Sequence, residues 1–310
     1  MSKQETSEEF GKFGYGVFLL KSKNSLFNAD FAHEPRQLPD DAGTFYATDK
    51  SLKYCIRSYV YNTKGDTEVF FWRRNNEALK ALDLGENYSH LFGEAPKKKG
   101  NLEAALNLLK CWDVRVFGAT FAEADCNLSI TGPVQITYGI NKAPLAQQKY
   151  SNQILSPFRD SKESKEEAKA RTLGSESKAL EMHLMFDYVI NPNTLRNQPT
   201  KLKQTDVAWF KEALCKGVSY VNSSAKIGSE SEFMLYIESS SHNTLPLLKD
   251  IILVAIKDGK TEIDLVNVRD LIARYGITYV EIYYEPSYTV VKNIPDGAKK
   301  FNIYTLEETK

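Results

Sequence analysis

The chain has 310 residues, 42% of them hydrophobic and 26% charged, enough for one large globular domain or two smaller ones. Its 40 basic and 40 acidic residues cancel, so net charge advertises no polyanionic partner and any anion site must come from local clustering. The 4 cysteines carry no C-x-x-C spacing, which fits reduced thiols better than a zinc site or disulfide framework; no apolar run approaches the roughly 18 residues of a membrane span, so a cytoplasmic protein without a membrane partner is expected.

In chain order, "FGYGVFLL" (residues 13–20) reads as a buried central strand that runs into a polar loop, Lys21, Ser22, Lys23 and Asn24, continuing to Ala47 past Pro35, Pro39 and Gly43. A capping Thr48 or Asp49 opens a helix whose Leu52, Cys55, Ile56, Tyr59 and Val60 share a buried face, while Lys50, Lys53 and Arg57 share another stripe. After the Lys64-Gly65-Asp66 turn, "TEVFFWRR" (residues 67–74) reads as a second strand. "NNEALKALDLG" and "NLEAALNLLKCW" read as two helices separated by "EAPKKKG". Two strand-like runs around a polar break follow, from "WDVRVFG" at Trp112 to "ITGPVQ" and Gly139.

Residues 140–181 are dense in mixed charge without an apolar stripe and read as a protruding insertion. The strand "MHLMFDYVI", a capped helix from Thr205 and the strand "EFMLYIES" come next. "IILVAI", "LVNVRDLIARYG" and "ITYVEIYYE" then repeat the alternation. The order specifies an α+β chain with an antiparallel or mixed sheet and helices packed against it.

Chemistry-bearing motifs are sparse. His33, His90, His183 and His242 form no H-x-x-x-H; there is no phosphate-binding loop or nucleophile elbow, and "FGKFGYG" precedes a strand rather than following one. No cofactor, metal site or catalytic group is expected, although Asp30, Asp40 and Asp41 share a polar loop. Local features fit RNA: the Lys50, Lys53 and Arg57 stripe suits either a solvated helix face or a track for phosphates, and the Lys21-to-Asn24 cluster either a plain loop or a sugar-phosphate contact. Arg115 and Phe117 alternate onto one strand face, which offers either core packing or a cation and a stacking ring for single-stranded RNA.

Together, "YGVFLLKSKNSLFNADFAHEPR", "ATDKSLKYCIRSYV", "WDVRVFG" with "ITGPVQ", and "TDVAWFKEALCKGV" resemble the Cas-seven superfamily, the repeating backbone subunits of CRISPR effector complexes, most closely its type I-B (Csh-type) members. The first loop departs from the family's Asn-Pro-Asn-Gly-Asp-Pro type of stretch. The resemblance implies a single domain over 1–310 with a modified RRM-like (ferredoxin-like) palm, a helical finger region at 74–112 and a thumb insertion at 140–182. It implies a non-catalytic subunit that binds CRISPR guide RNA, polymerises with copies of itself, joins other Cascade subunits and supports pairing with a target DNA strand. RNA-binding residues would be Lys21, Ser22, Lys23, Asn24, Arg36, Lys50, Lys53, Arg57, Arg115, Phe117, Gly118, Thr131 and Gln135, with Arg171 and Leu173 on the thumb and Phe158 as the alternative wedge. The other reading is a type III-like subunit that cleaves target RNA through Asp30.

Overall fold

The computed structural model describes residues 8–94, 100–123, 125–144, 148–155, 174–240 and 244–309. Its organising element is β1 (Phe13–Ser25), whose alternation feeds two cores. Phe18 and Leu20 enter a core roofed by α1 (Asp49–Thr63) and by α5 (Gln204–Tyr220). Tyr15, Val17 and Leu19 enter the opposite one. Antiparallel neighbours flank β1 on both sides: β8 (Gly174–Ile190), from Gly14↔Ile190 to Ser25↔Ala179, and β9 (Ser229–Ser239), with a bulge at Leu19/Leu20.

Beyond β8 lie β2 (Tyr46–Ala47), β5 (Val134–Ile136) and β6 (Gly139–Asn141). Beyond β9 lie β12 (Tyr279–Tyr284) and β14 (Lys299–Asn302), so the path runs β14-β12-β9-β1-β8-β6-β2. The second face of this sheet is closed by β10 (Leu253–Lys257), β11 (Lys260–Asp264) and β13 (Thr289–Lys292), with α6 (Val266–Tyr275). Ile263, Leu265, Val268 and Ile272 bury against Val17, Leu235 and Ile282 there. A buried His183 bridges these layers, its Nδ1 2.7 Å from Glu232, which also accepts the Thr261 hydroxyl at 2.6 Å. Among the described residues no helix is long and apolar enough to cross a membrane.

Four local readings of the sequence are corrected. β1 does not stop at Leu20: the hydroxyls of Ser22, Ser25 and Ser229 bond one another at 2.7–3.0 Å, so the polar continuation stays in the ladder with its buried groups satisfied. "TEVFFWRR" is not a strand. Its backbone bonds to side chains instead: Phe70 and Phe71 N–H donate to Asp113 at 2.7 and 3.2 Å, and Arg74 donates to the carbonyls of Asp66, Val69 and Phe70.

Residues 75–83 are a turn closed by the Asn75↔Ala81 bridge, and Asn76 Oδ1 accepts the Ala78 and Lys80 N–H groups. The helix α2 (Leu84–Phe92) begins only at the Asp83/Glu86 capping box, and α3 (Asn101–Leu108) follows. Trp112–Phe117 is helix α4, not a strand: all six side chains are buried, so apolar residues surround it and periodicity cannot separate the two states.

The hairpin of β3 (Gly118–Glu123) and β4 (Cys126–Thr131) comes next. Within 140–182, β7 (Tyr150–Leu155) pairs with the start of β8 from Tyr150↔Ala179 to Leu155↔Gly174, so residues 150–155 and 174–179 of this charged segment form a β-ribbon. Phe158, Arg171 and Leu173 lie outside the described residues.

Candidate nucleic-acid interface

Helix α1 is anchored at its start by Asn28, whose Oδ1 accepts both the N–H and the hydroxyl of Thr48, and Thr48 in turn caps Ser51 N–H. Its apolar stripe sinks into the core, which turns Lys50, Lys53 and Arg57 outward along one side. That side forms one wall of a recess of about 490 Å³; Phe71 and the segment Phe117, Gly118, Ala119 and Thr120, with Ile130, complete the lining.

The two chain segments under this recess meet at glycines. Gly118 sits at φ 82°, and a Cβ there would lie 2.1 Å from the Ile130 carbonyl oxygen; a Cβ on Gly132 would lie 2.1 Å from the Phe117 carbonyl carbon. "WDVRVFG" and "ITGPVQ" therefore cross backbone against backbone, with Gly118 paired to Thr131 in the ladder. This crossing fixes Phe117 below the cations. Lys53 Nζ lies 5.3 Å from the Phe117 ring centre and the Arg57 guanidinium 5.2 Å from it and 5.7 Å from that of Phe71.

Carboxylates set the stiffness of each cation. Arg57 Nε donates to the fully buried Asp113 at 2.9 Å, and Lys53 donates to Asp49 at 3.1 Å. Lys50 is exposed and has no ion pair among the described residues. Set against Asp49 and Asp113, the three cations leave the recess one positive charge in excess. An oriented Arg, a tethered Lys and a free Lys over an aromatic floor suit a phosphodiester chain.

Several sequence-derived candidates lie elsewhere. Arg115, expected beside Phe117 on a strand face, is buried within α4: its guanidinium binds Asp206 at 2.9 Å and the carbonyls of Leu109 and Lys110 at 3.0 and 2.6 Å. It ties α4 to α5, where Asp206 also accepts the Lys203 N–H at 3.0 Å and starts the helix one residue before Thr205. Ser22 is equally inaccessible, held in the serine triangle. Lys21 lies 3.7 Å from Glu230 and 4.7 Å from the Tyr288 ring centre.

Lys23 and Asn24 are exposed, and Asn24 joins Lys149, Tyr150, Ser151, Lys178 and Leu180 around a second recess of about 240 Å³ at the root of the β7–β8 ribbon. Arg36 is half-buried, with an Nε that has no hydrogen-bond partner among the described residues. Thr131 and Gln135 are exposed, and the Gln135 amide donates to the Gly132 carbonyl at 2.8 Å. Asp30 Oδ1 accepts the Ala32 and Glu34 N–H groups, each at 2.9 Å, and so closes its own loop. Among the described residues no three His, Cys, Asp or Glu side chains converge as metal ligands.

Sequence reasoning missed Phe71, read as strand, and Asp113, whose role as the anchor of Arg57 requires a contact across 56 residues. It also missed Lys149 and Lys178, which only the β7–β8 pairing brings together.

Comparison with known proteins completes the site's context. The chain is similar to one from a structure described as "CRISPR RNA-guided surveillance complex, pre-nicking", with 14% identity and a TM-score of 0.51 over 94% of this chain and 96% of the other. It is similar to a second from a "CRISPR RNA-guided surveillance complex", with 12% identity and a TM-score of 0.50 over 91% and 95%. At these identities the likeness establishes the fold. No curated protein matches. The family model described as "CRISPR-associated protein Cas7" matches residues 12–271, and the chain belongs to that family.

Proposed function

We propose that this chain is a guide-RNA-binding backbone subunit of a type I CRISPR effector complex, Cascade, of the I-B subtype. Copies of it polymerise along one CRISPR RNA beside other Cascade subunits and support pairing with a target DNA strand. The single observation that carries the reading is the recess over Phe117, where Lys53 and Arg57 lie over the ring and Lys50 of the same helix completes the wall. Such a site grips phosphates and leaves base edges free, so sequence specificity belongs to guide–target pairing.

The palm is RRM-like: β9-β1-β8-β6 places neighbours antiparallel, with α1 following β1 and α5 joining β8 to β9 on the same side, which supports that description. Because β10, β11, β13 and α6 cover the other face, RNA follows the α1 rim rather than the centre of the sheet. Residues 74–112 act as the finger and 140–182 as the thumb, in which Leu173, or alternatively Phe158, wedges out a nucleotide and Arg171 holds the displaced phosphate. The subunit is non-catalytic and cytoplasmic; the bonds Asp30 makes within its own loop favour this over target-RNA cleavage.

The test is RNA affinity as a function of salt. Replacing Lys50, Lys53 and Arg57 by alanine should weaken binding regardless of sequence and lower the log–log salt slope by about 0.7 for each single-strand phosphate that is no longer neutralised. An unchanged affinity and slope, in folded protein, would remove the recess from the interface.

A further inference from the structure

Helix α1 carries aromatic as well as basic side chains on its outward side: Lys50, Lys53, Tyr54, Arg57 and Tyr61 follow one another at helical spacing. Tyr54 and Tyr61 stand two turns apart, about 10.5 Å along the axis, the span of two ring-stacking steps. Trp72 fills that span. Its ring centre lies 5.6 Å from that of Tyr54 with the planes 11° apart, and 4.7 Å from that of Tyr61 at 21°. The inner end is closed by buried Arg74, whose guanidinium lies 5.5 Å from the Tyr61 ring centre.

The stack therefore runs Arg74, Tyr61, Trp72, Tyr54, and ends in the open. Tyr54 is 48% exposed. One turn before it stands exposed Lys50, at the mouth of the cationic recess. Phe71, next to Trp72, lines both that recess and a smaller one of about 310 Å³ formed with Trp72, Arg73, Leu82 and Asn87. A long aromatic side chain held nearly parallel to its neighbours has already lost the rotamer freedom that stacking another flat ring would cost it.

We propose that the outer face of Tyr54 is a stacking platform for one unpaired nucleobase, whose flanking phosphates lie against Lys50, Lys53 and Arg57. The occupant is a nucleotide rather than an apolar peptide because Lys50 and Arg57 stand one turn before and after Tyr54 on the same helix and line the adjoining recess, and the carboxylates there, Asp49 and Asp113, are engaged with Lys53 and Arg57. This rests on the guide-RNA reading of the same recess and adds to it one base held by its flat face, independent of base identity. A subunit that repeats along the guide would immobilise one base per copy at this point.

The test compares two probes on the 310-residue chain: a single-stranded oligoadenylate, and a strand of the same length and phosphate number without bases. Tyr54→Ala should lower affinity for the oligoadenylate by about 5- to 100-fold, the loss of one base–aromatic stack, and leave the abasic strand's affinity within about twofold. Tyr54→Phe should retain both affinities. Tyr54→Leu, which keeps apolar bulk without a flat ring, should behave as Tyr54→Ala does. Thermal unfolding within about 2 °C of the parent confirms that the exposed site is intact.

If Tyr54→Ala binds both strands as the parent does while the Lys50, Lys53 and Arg57 triple variant loses both, the platform is wrong and the RNA reading stands. If the triple variant also binds both strands as the parent does, the RNA reading of the recess falls with it. If Tyr54→Ala keeps single-copy affinity but no longer lets copies assemble on long RNA, the ring contacts a neighbouring protein and the platform is overturned.

Discussion

Asp206→Ala probes whether Arg115 is a structural cation or an RNA contact. In the folded chain Asp206 is 1% exposed and accepts the Arg115 guanidinium at 2.9 Å and the Lys203 N–H at 3.0 Å. Removing it leaves an arginine that is 7% exposed without its main counter-charge, a change that typically costs about 3–5 kcal/mol. Glu68, 3.9 Å from the same guanidinium, offsets part of this, while loss of the helix start adds about 1 kcal/mol. A net cost of about 3–4 kcal/mol lowers Tm by roughly 5–6 °C in a chain of 310 residues. The assay is thermal and urea unfolding of the purified protein, with Asp206→Leu combined with Arg115→Met as the control that removes both charges of the pair and leaves only the partly exposed Glu68. The double variant should recover most of the stability, because apolar groups of similar volume replace the pair. A Tm within about 2 °C of the parent for Asp206→Ala, or an Arg115→Ala protein that keeps its Tm but loses RNA affinity, would refute this account of Arg115.

Gly132→Ala, whose Cβ must meet Phe117 backbone rather than a movable side chain, should destabilise by at least the 1–3 kcal/mol or so usual for overpacking, read as a lower urea midpoint. Asp113→Ala, which orphans two backbone N–H groups and Arg57, should cost about 3 kcal/mol or more, against about 0.5 kcal/mol for Asp49→Ala at the edge of the same recess; equal midpoints for the two would contradict the anchoring role. Burial opposes protonation of His183, but the Glu232 and Glu181 carboxylates outweigh it and raise its pKa above the ordinary 6.5. The stabilisation from this raised value is complete below pH 6.5 and is lost as pH climbs through it, so Tm should fall over that window in the parent and stay flatter in Glu232→Gln.

The central strand β1 was legible as a short continuous apolar run that is buried on both faces, and the palm helices because each has one apolar face, the stripe Leu52, Cys55, Ile56, Tyr59, Val60 of α1 being buried. What failed was local structure held by distant polar groups. Nothing in "TEVFFWRR" announces that Asp113 will bond its N–H groups, and nothing in "WDVRVF" separates a helix buried on all sides from a strand. The same limit split the site. The stripe of Lys50, Lys53 and Arg57 needed only helical spacing, whereas Phe117 and Gly118 line the same recess although the strand alternation that singled out Phe117 is absent. Arg115 was misjudged because its partner Asp206 lies 91 residues away, and Ser22 because Ser229 lies on another strand.

The most direct measurement is the sequence of the nucleic acid that copurifies with the protein from cells containing the intact effector complex. A backbone subunit of Cascade should carry CRISPR guide RNA of repeat–spacer composition, and should no longer carry it once the Lys50, Lys53 and Arg57 side chains are removed. Protein that purifies without RNA, or with an unselected mixture of cellular transcripts, would contradict the account.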